Sequence, residues 1–190
     1  MHMNEHGITL RHGKHKGRLI RPTRWYAGKN DRSLWPEHYT NAMYSDDGGK
    51  TWKTSEPFPE NGTGEATLAE LSDGRIYYNS RVHWQERPKN TRRRAAWSED
   101  GGQTWNNWTL VESLPDGHQF RSYGCMAGLT RLPIAGRDIL IFSNIDKRFC
   151  QIVFRVALSL AVYWTRFRVF LSLPDPRHLP KFAFCRATCN

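Results

Sequence analysis

Tyr44-Ser45-Asp46-Asp47-Gly48-Gly49-Lys50-Thr51-Trp52 returns as Trp97-Ser98-Glu99-Asp100-Gly101-Gly102-Gln103-Thr104-Trp105, the two serines lying 53 residues apart. The shared pattern, Ser-x-Asp-x-Gly-x-Thr-Trp, has a structural logic. An Asp carboxylate accepts backbone N–H bonds inside a tight turn, and a glycine supplies the positive φ that such a turn requires. The flanking Ser and Thr satisfy further turn groups, and the Trp is expected to pack its apolar body under the loop. Read as a Ca²⁺ loop, the element has too few acidic residues at EF-hand offsets. Ser45, Asp47, Gly49, Thr51 and Trp52, and in the second copy Ser98, Asp100, Gly102, Thr104 and Trp105, are therefore read as a folding element.

A second repeat runs in register with the first. Gly17-Arg18-Leu19-Ile20, Gly74-Arg75-Ile76-Tyr77 and Gly136-Arg137-Asp138-Ile139-Leu140 each open a strand-like run after a turn, their glycines spaced by 57 and 62 residues. Each follows another apolar run, at residues 8–10, 66–71 and 128–132. The resulting unit reads strand, turn, strand, long connection, strand, tight turn and Trp-led strand. That is a four-stranded antiparallel blade, and repeated blades imply an all-β propeller.

Within the second unit, Asp73-Gly74 is a hairpin signal between two β-favouring runs. Glu65 lies eight residues before Asp73 and Arg81 eight after it. An antiparallel pairing therefore sets the two charges at the open end of the hairpin. They form either a rim salt bridge or part of a site. Strand polarity puts the Ser-x-Asp turns on the opposite face. The long connections, residues 25–40 and 82–92, fall on the face of Glu65 and Arg81, and Arg24 joins them, seven residues past Gly17 as Arg81 is seven past Gly74.

The totals are compatible with this. The chain has 190 residues, rich in aromatics and in turn-forming Gly and Pro, and a net charge of +10. The charge is uneven: residues 149–190 hold six basic residues and one acid, Asp175. The rest is ordinary for a globular domain, so the total alone does not indicate a polyanionic partner. Cys125 stands alone, while Cys150, Cys185 and Cys189 lie in the final segment, without disulfide-framework or zinc spacing. His2, His6, His12 and His15 read as a polar N-terminal loop rather than a metal site. Arg92-Arg93-Arg94 reads as a solvated loop, since no aromatic-basic platform accompanies it. No metal, cofactor or nucleic acid is expected. The chain as given opens without an apolar signal region, and its compartment is left open.

Together with Gly64-Glu65, Leu71-Ser72-Asp73-Gly74-Arg75, Asn79-Ser80-Arg81, Gly124-Cys125-Met126-Ala127-Gly128 and Phe142-Ser143-Asn144, the two turn motifs resemble the Asp-boxes and flanking strands of exo-α-sialidases (neuraminidases). The likeness runs over roughly residues 7–145. It implies a six-bladed propeller in which three arginines hold the substrate carboxylate, a Tyr partnered by a Glu is the nucleophile, and an Asp is the acid/base. The chemistry is coherent, because planar guanidinium groups bind a carboxylated sugar bidentately. A neutral phenol avoids repulsion with that carboxylate, and a Glu takes its proton as the glycosidic bond is exchanged, with retention. The resemblance assigns the Tyr-partner role to Glu65 and the second carboxylate-binding Arg to Arg81. It sets Arg24 and Tyr26 where glycerol-chain or aglycone contacts lie.

The resemblance also implies that a first Arg and the Asp fall upstream of Gly7, and a third Arg and the Tyr downstream of Asn144. The expectation is a partial propeller of about three blades over residues 1–145, truncated and inactive, and a divergent tail over 146–190. That tail contains no glycine, and at 160–164, where a third Ser-x-Asp turn is due, it reads Leu-Ala-Val-Tyr-Trp. A lost reading frame or a disordered segment is expected there. The apolar run is too short and too Arg-interrupted for a membrane span, so membrane attachment is not expected. The partner implied is a sialylated or other anionic glycan. The alternative function is a non-catalytic Asp-box propeller that binds anionic glycans or a protein.

Overall fold

The structure is a computed structural model that describes residues 2–3, 6–26, 28, 31–82, 92–116, 126–134, 136–146, 151–158 and 161–167. Cys125, Cys150, Cys185, Cys189 and most of the 82–92 connection lie outside the described residues.

The chain forms three antiparallel sheets in sequence order. The first contains β1 (His2–Met3), β2 (Ile8–Thr9), β3 (Leu19–Trp25), β4 (Tyr39–Ser45) and β5 (Lys53–Thr54), with β1 and β2 both paired to β3. The second is the meander β6 (Thr63–Glu70), β7 (Ile76–Val82), β8 (Arg92–Ser98) and β9 (Asn106–Pro115). The third is β10 (Gly128–Ile134), β11 (Arg137–Asp146), β12 (Gln151–Leu158) and β13 (Ala161–Phe167). The last two strands come from the glycine-free tail, so these stretches extend the third sheet. Their register sets Arg155 opposite Arg166.

Sheet two is covered on both faces, and its sequence shows why. Along β7, Ile76 and Tyr78 join one core with Leu10, Ile20, Ala42 and Tyr44 of sheet one. The intervening Tyr77 joins a second core with Leu129, Leu140 and Phe142 of sheet three. Two-residue periodicity thus sends alternate side chains to opposite neighbours, and every residue of β7 is buried.

The Asp-box turns follow their predicted chemistry. Ser98 Oγ donates to Asp100 Oδ1 (2.7 Å) and accepts from the Gly102 N–H (2.8 Å). Asp100 accepts from the Gln103 and Thr104 N–H groups and the Thr104 hydroxyl. Ser45, Asp47, Gly49 and Thr51 repeat the pattern. Gly102 has φ +86°, and a Cβ there would lie 2.1 Å from Ile20 Cδ1, so this glycine also lets sheet one pack against the turn.

The two box tryptophans differ, contrary to expectation. Trp105 is 5% exposed, with Nε1 donating to Ser55 Oγ across the seam between sheets. Trp52 is 44% exposed and donates to the Gly49 carbonyl. The turn chemistry is local and identical, whereas Trp burial depends on a neighbouring sheet.

Polar ties also bolt the sheets together. Arg18 makes a two-pronged contact with Asp46 (2.7 and 2.9 Å) and reaches the Gly101 carbonyl of sheet two (3.0 Å). Glu70 accepts from the Arg11 and His12 N–H groups. Asp138 accepts from the Ser72 N–H and hydroxyl and from Arg131.

Candidate functional site

The open end of the β6–β7 hairpin is shaped by an irregularity in pairing. Ala66 pairs with Ser80 but Thr63 with Val82, so β6 carries one extra residue between them. Such a bulge re-aims side chains, and it sets Gly64 and Glu65 against Arg81. Glu65 Oε2 and Arg81 Nη1 form an ion pair, with Arg81 only 9% exposed and Glu65 partly open. The sequence placed these charges at one end, and the structure brings them into contact.

Arg24 and Tyr26 arrive at the same end from β3. Arg24 is buried, its guanidinium 4.4 Å from the centroid of the Tyr26 ring and its Nη2 2.8 Å from His38 Nδ1. The Tyr26 and His38 rings meet edge to face at 4.7 Å. Burial lowers the Arg24 guanidinium below its ordinary value; Tyr26 opposes this, Arg81 adds to it and Glu65 opposes it. Arg24 thus lies within electrostatic reach of Tyr26, Arg81 and Glu65. Burial, followed by the Arg24 charge, likewise holds His38 below the ordinary imidazole value. His38 is thereby kept neutral, able to accept through Nδ1.

Sequence reasoning missed the layer beneath. The run Arg92-Arg93-Arg94 is strand β8, not a solvated loop, and Arg93 is fully buried. Its Nη1 pairs with Asp116 Oδ1 at 2.9 Å, and its Nε donates to Asn79 Oδ1 at 2.6 Å. Burial raises the Asp116 carboxyl, against the pull of Arg93 and the Val82 N–H. Arg94 instead turns to Glu60. Alternation along β8, which sets Arg93 on the side of Ala95 and away from Arg92 and Arg94, was the available signal. Asp116, just past β9, had no local one.

The arrangement offers guanidinium groups, a carboxylate and a phenol at one end, chemistry suited to an anionic ligand. A cavity of about 250 Å³ lies elsewhere, beside the Asp73–Gly74 turn, and includes His12, Lys14, His15 and Glu99. Among the described residues, no group of three or more His, Cys, Asp or Glu is placed to hold a metal ion. Among them, too, no helix is long and apolar enough to cross a membrane.

Comparison with known proteins adds family and fold. The BNR repeat-like domain family matches residues 6–173. A sialidase of Micromonospora viridifaciens is 37% identical over 110 residues, 58% of this chain and 15% of that protein. A sialidase of Bacteroides fragilis is 30% identical over 166 residues, 84% of this chain and 26% of that protein. The chain thus spans about a quarter or less of the length of these curated relatives. Among solved structures, the NanB sialidase of Streptococcus pneumoniae superposes with a TM-score of 0.61 at 22% identity, over 84% of this chain and 22% of that one. This likeness shows a shared fold. With its repeated Asp-boxes and consecutive antiparallel sheets, the chain belongs to the BNR repeat-like domain family and is a sialidase-family BNR-repeat protein.

Proposed function

We propose that this chain supplies part of a sialidase-type site, at which Arg81 holds the carboxylate of a terminal sialic acid and Glu65 serves as proton acceptor for a tyrosine nucleophile. The supporting observation is the contact between Glu65 and Arg81 across a β-bulge in the second sheet, beside Arg24 and Tyr26 from the first. A ligand carboxylate entering there exchanges one carboxylate partner of Arg81 for another, so the guanidinium is not left without charge compensation. Glu65, released from that contact, is free to accept a proton. Arg24, stacked on Tyr26, is proposed to meet the glycerol chain or aglycone. The reaction is retaining hydrolysis of a glycosidic bond through the Tyr/Glu pair, on a six-bladed propeller of which the three sheets are blades. In this proposal residues 1–145 carry the site and residues 146–190 are a divergent tail, of which Gln151–Leu158 and Ala161–Phe167 extend the third sheet.

The second reading is a non-catalytic propeller that binds anionic glycans or a protein. It is favoured by the same ion pair, since Glu65 and Arg81 satisfy each other. Saturation-transfer NMR of the chain with N-acetylneuraminic acid, paired with release of 4-methylumbelliferone from its sialoside, separates the readings. The proposal expects sugar binding that is lost in Arg81→Ala, and turnover that falls in Glu65→Ala wherever turnover is detected. Binding or turnover that survives both substitutions refutes the site assignment.

A further inference from the structure

Arg93 and Asp116 are each fully buried, and neither has a place in the carboxylate-holding chemistry. Replacing such an ion pair by apolar residues of similar volume is often neutral or stabilising, so burial alone does not explain it. Their contacts do. Asp116 Oδ1 accepts from Arg93, while its Oδ2 accepts at 2.9 Å from the Val82 N–H, the amide directly after Arg81. Arg93 Nε donates to Asn79 Oδ1 at 2.6 Å. Its Nη2 reaches the Asn79 carbonyl at 3.3 Å and the Glu65 carbonyl at 3.5 Å. The network therefore holds the peptide groups that carry both Glu65 and Arg81.

The register sharpens the point. Ser80 is the partner of Arg94, so the next step along the β7–β8 ladder sets Arg81 beside Arg93. Glu65, Arg81 and Arg93 thus form a row across β6, β7 and β8, which Asp116 closes beyond β9. Like charges at opposed positions repel. With a carboxylate at each end of the row, each guanidinium has its own counter-charge.

We propose that Arg93, set by Asp116 and Asn79, is a positioning residue for the Glu65–Arg81 pair, fixing the backbone on which both side chains stand so that they present one geometry to a carboxylated sugar. This rests on the sialic-acid reading of that end. A lysine cannot replace the guanidinium, because a single ammonium has no planar fork to span Asn79, Glu65 and Asp116 together.

The test uses the whole 190-residue chain. Arg93→Lys keeps the charge and leaves Asp116 to accept from Val82. The double variant Arg93→Met with Asp116→Leu removes both charges while retaining volume. Hydrogen exchange at the Arg81 Nε–H and the Val82 amide is followed by NMR, alongside N-acetylneuraminic acid affinity by saturation transfer and a thermal melt. Arg93→Lys is expected to speed exchange at Arg81 Nε–H at least tenfold and weaken the sugar at least tenfold, with a cooperative melt. The double variant adds faster exchange at Val82. Unchanged exchange at Arg81 in a folded variant overturns the proposal, whatever the affinity does. If Arg93→Lys does not fold, the folded double variant decides by the same readout at Arg81. Faster exchange at Arg81, in a protein whose unaltered form binds no sialic acid, supports the positioning role and refutes the sugar reading instead.

Discussion

Removing the Arg18 side chain tests the bolt between sheets one and two. Arg18 is 4% exposed, lies 4.2 Å from the Tyr44 ring centroid, and joins Asp46 of its own sheet to the Gly101 carbonyl of the next. Arg18→Ala leaves that buried carbonyl without its charged donor, a loss of about 1.5–3 kcal/mol. Loss of the cation–π contact adds about 0.5–1 kcal/mol. The Asp46 ion pair contributes little, about 0–1 kcal/mol, because Asp46 is half exposed. The expected destabilisation is about 3 kcal/mol, a fall of about 6–12 °C in Tm for a domain of this size. Urea titration followed by the fluorescence of Trp105, buried at the same seam, measures it. Asp46→Ala is the control, and its expected cost is under about 1 kcal/mol. If Arg18→Ala costs less than about 1 kcal/mol, or Asp46→Ala costs as much, the carbonyl contact is not what secures the seam.

Glycines at equivalent box positions should separate a backbone cost from a packing cost. Gly49→Ala meets only ordinary contacts and is expected to cost about 1–2 kcal/mol for its positive φ, while Gly102→Ala must also displace Ile20 and should cost about 2–4 kcal/mol in the same titration. Hydrogen bonds from the Thr51 hydroxyl, the Thr51 N–H and Ser45 hold the Asp47 carboxyl down to about 2. A depressed acid stabilises fully above its ordinary value of 3.8 and loses that contribution as pH falls toward about 2. Asp47→Asn should therefore flatten that part of the acid melt, and an Asp47 titration by NMR near 3.8 counts against the hydrogen-bonded turn. His38 is depressed below 6.5 by burial and Arg24, so its contribution is complete above 6.5 and declines as pH drops below it. Tm measured against pH should show this decline and lose it in His38→Gln; a pH dependence identical in the two proteins refutes the neutral Nδ1 acceptor.

What could be read from the sequence was short-range chemistry. Ser98 to Thr104 is a turn whose donors and acceptors lie within a few residues of one another, so its hydrogen bonds are almost dictated by residue order. The meeting of Glu65 and Arg81 followed from counting outward from Asp73-Gly74, because antiparallel pairing makes position along a hairpin a matter of arithmetic. Other features depend on distant residues. Trp52 and Trp105 occupy equivalent positions, and only the second has a sheet packed against it. The 3-10 helix Arg32–Glu37 and strand β1 have no periodic signature, since each is too short to show one. Arg93 was hidden by its neighbours: three consecutive arginines look solvated, yet strand alternation buries the middle one.

The two ends of the second sheet show why this division matters for function. At the Asp-box end Ser98, Asp100 and Thr104 bind their own turn, and the contacts that leave it, such as Arg18 to the Gly101 carbonyl, serve packing between sheets. At the open end the row Glu65, Arg81, Arg93 and Asp116 runs across strands and places two guanidinium groups side by side. A rim salt bridge needs one cation and one anion. Adding a fully buried second pair brings a desolvation cost that apolar side chains would avoid. The arrangement is more readily explained if Arg81 must stay in one geometry while its counter-charge is exchanged. Glu65, partly open, can yield to an incoming carboxylate, whereas Asp116, fully buried and committed to Arg93 and the Val82 amide, cannot. On the proposed reading, that inequality between two carboxylates is what a binding end requires and a merely neutralised rim does not.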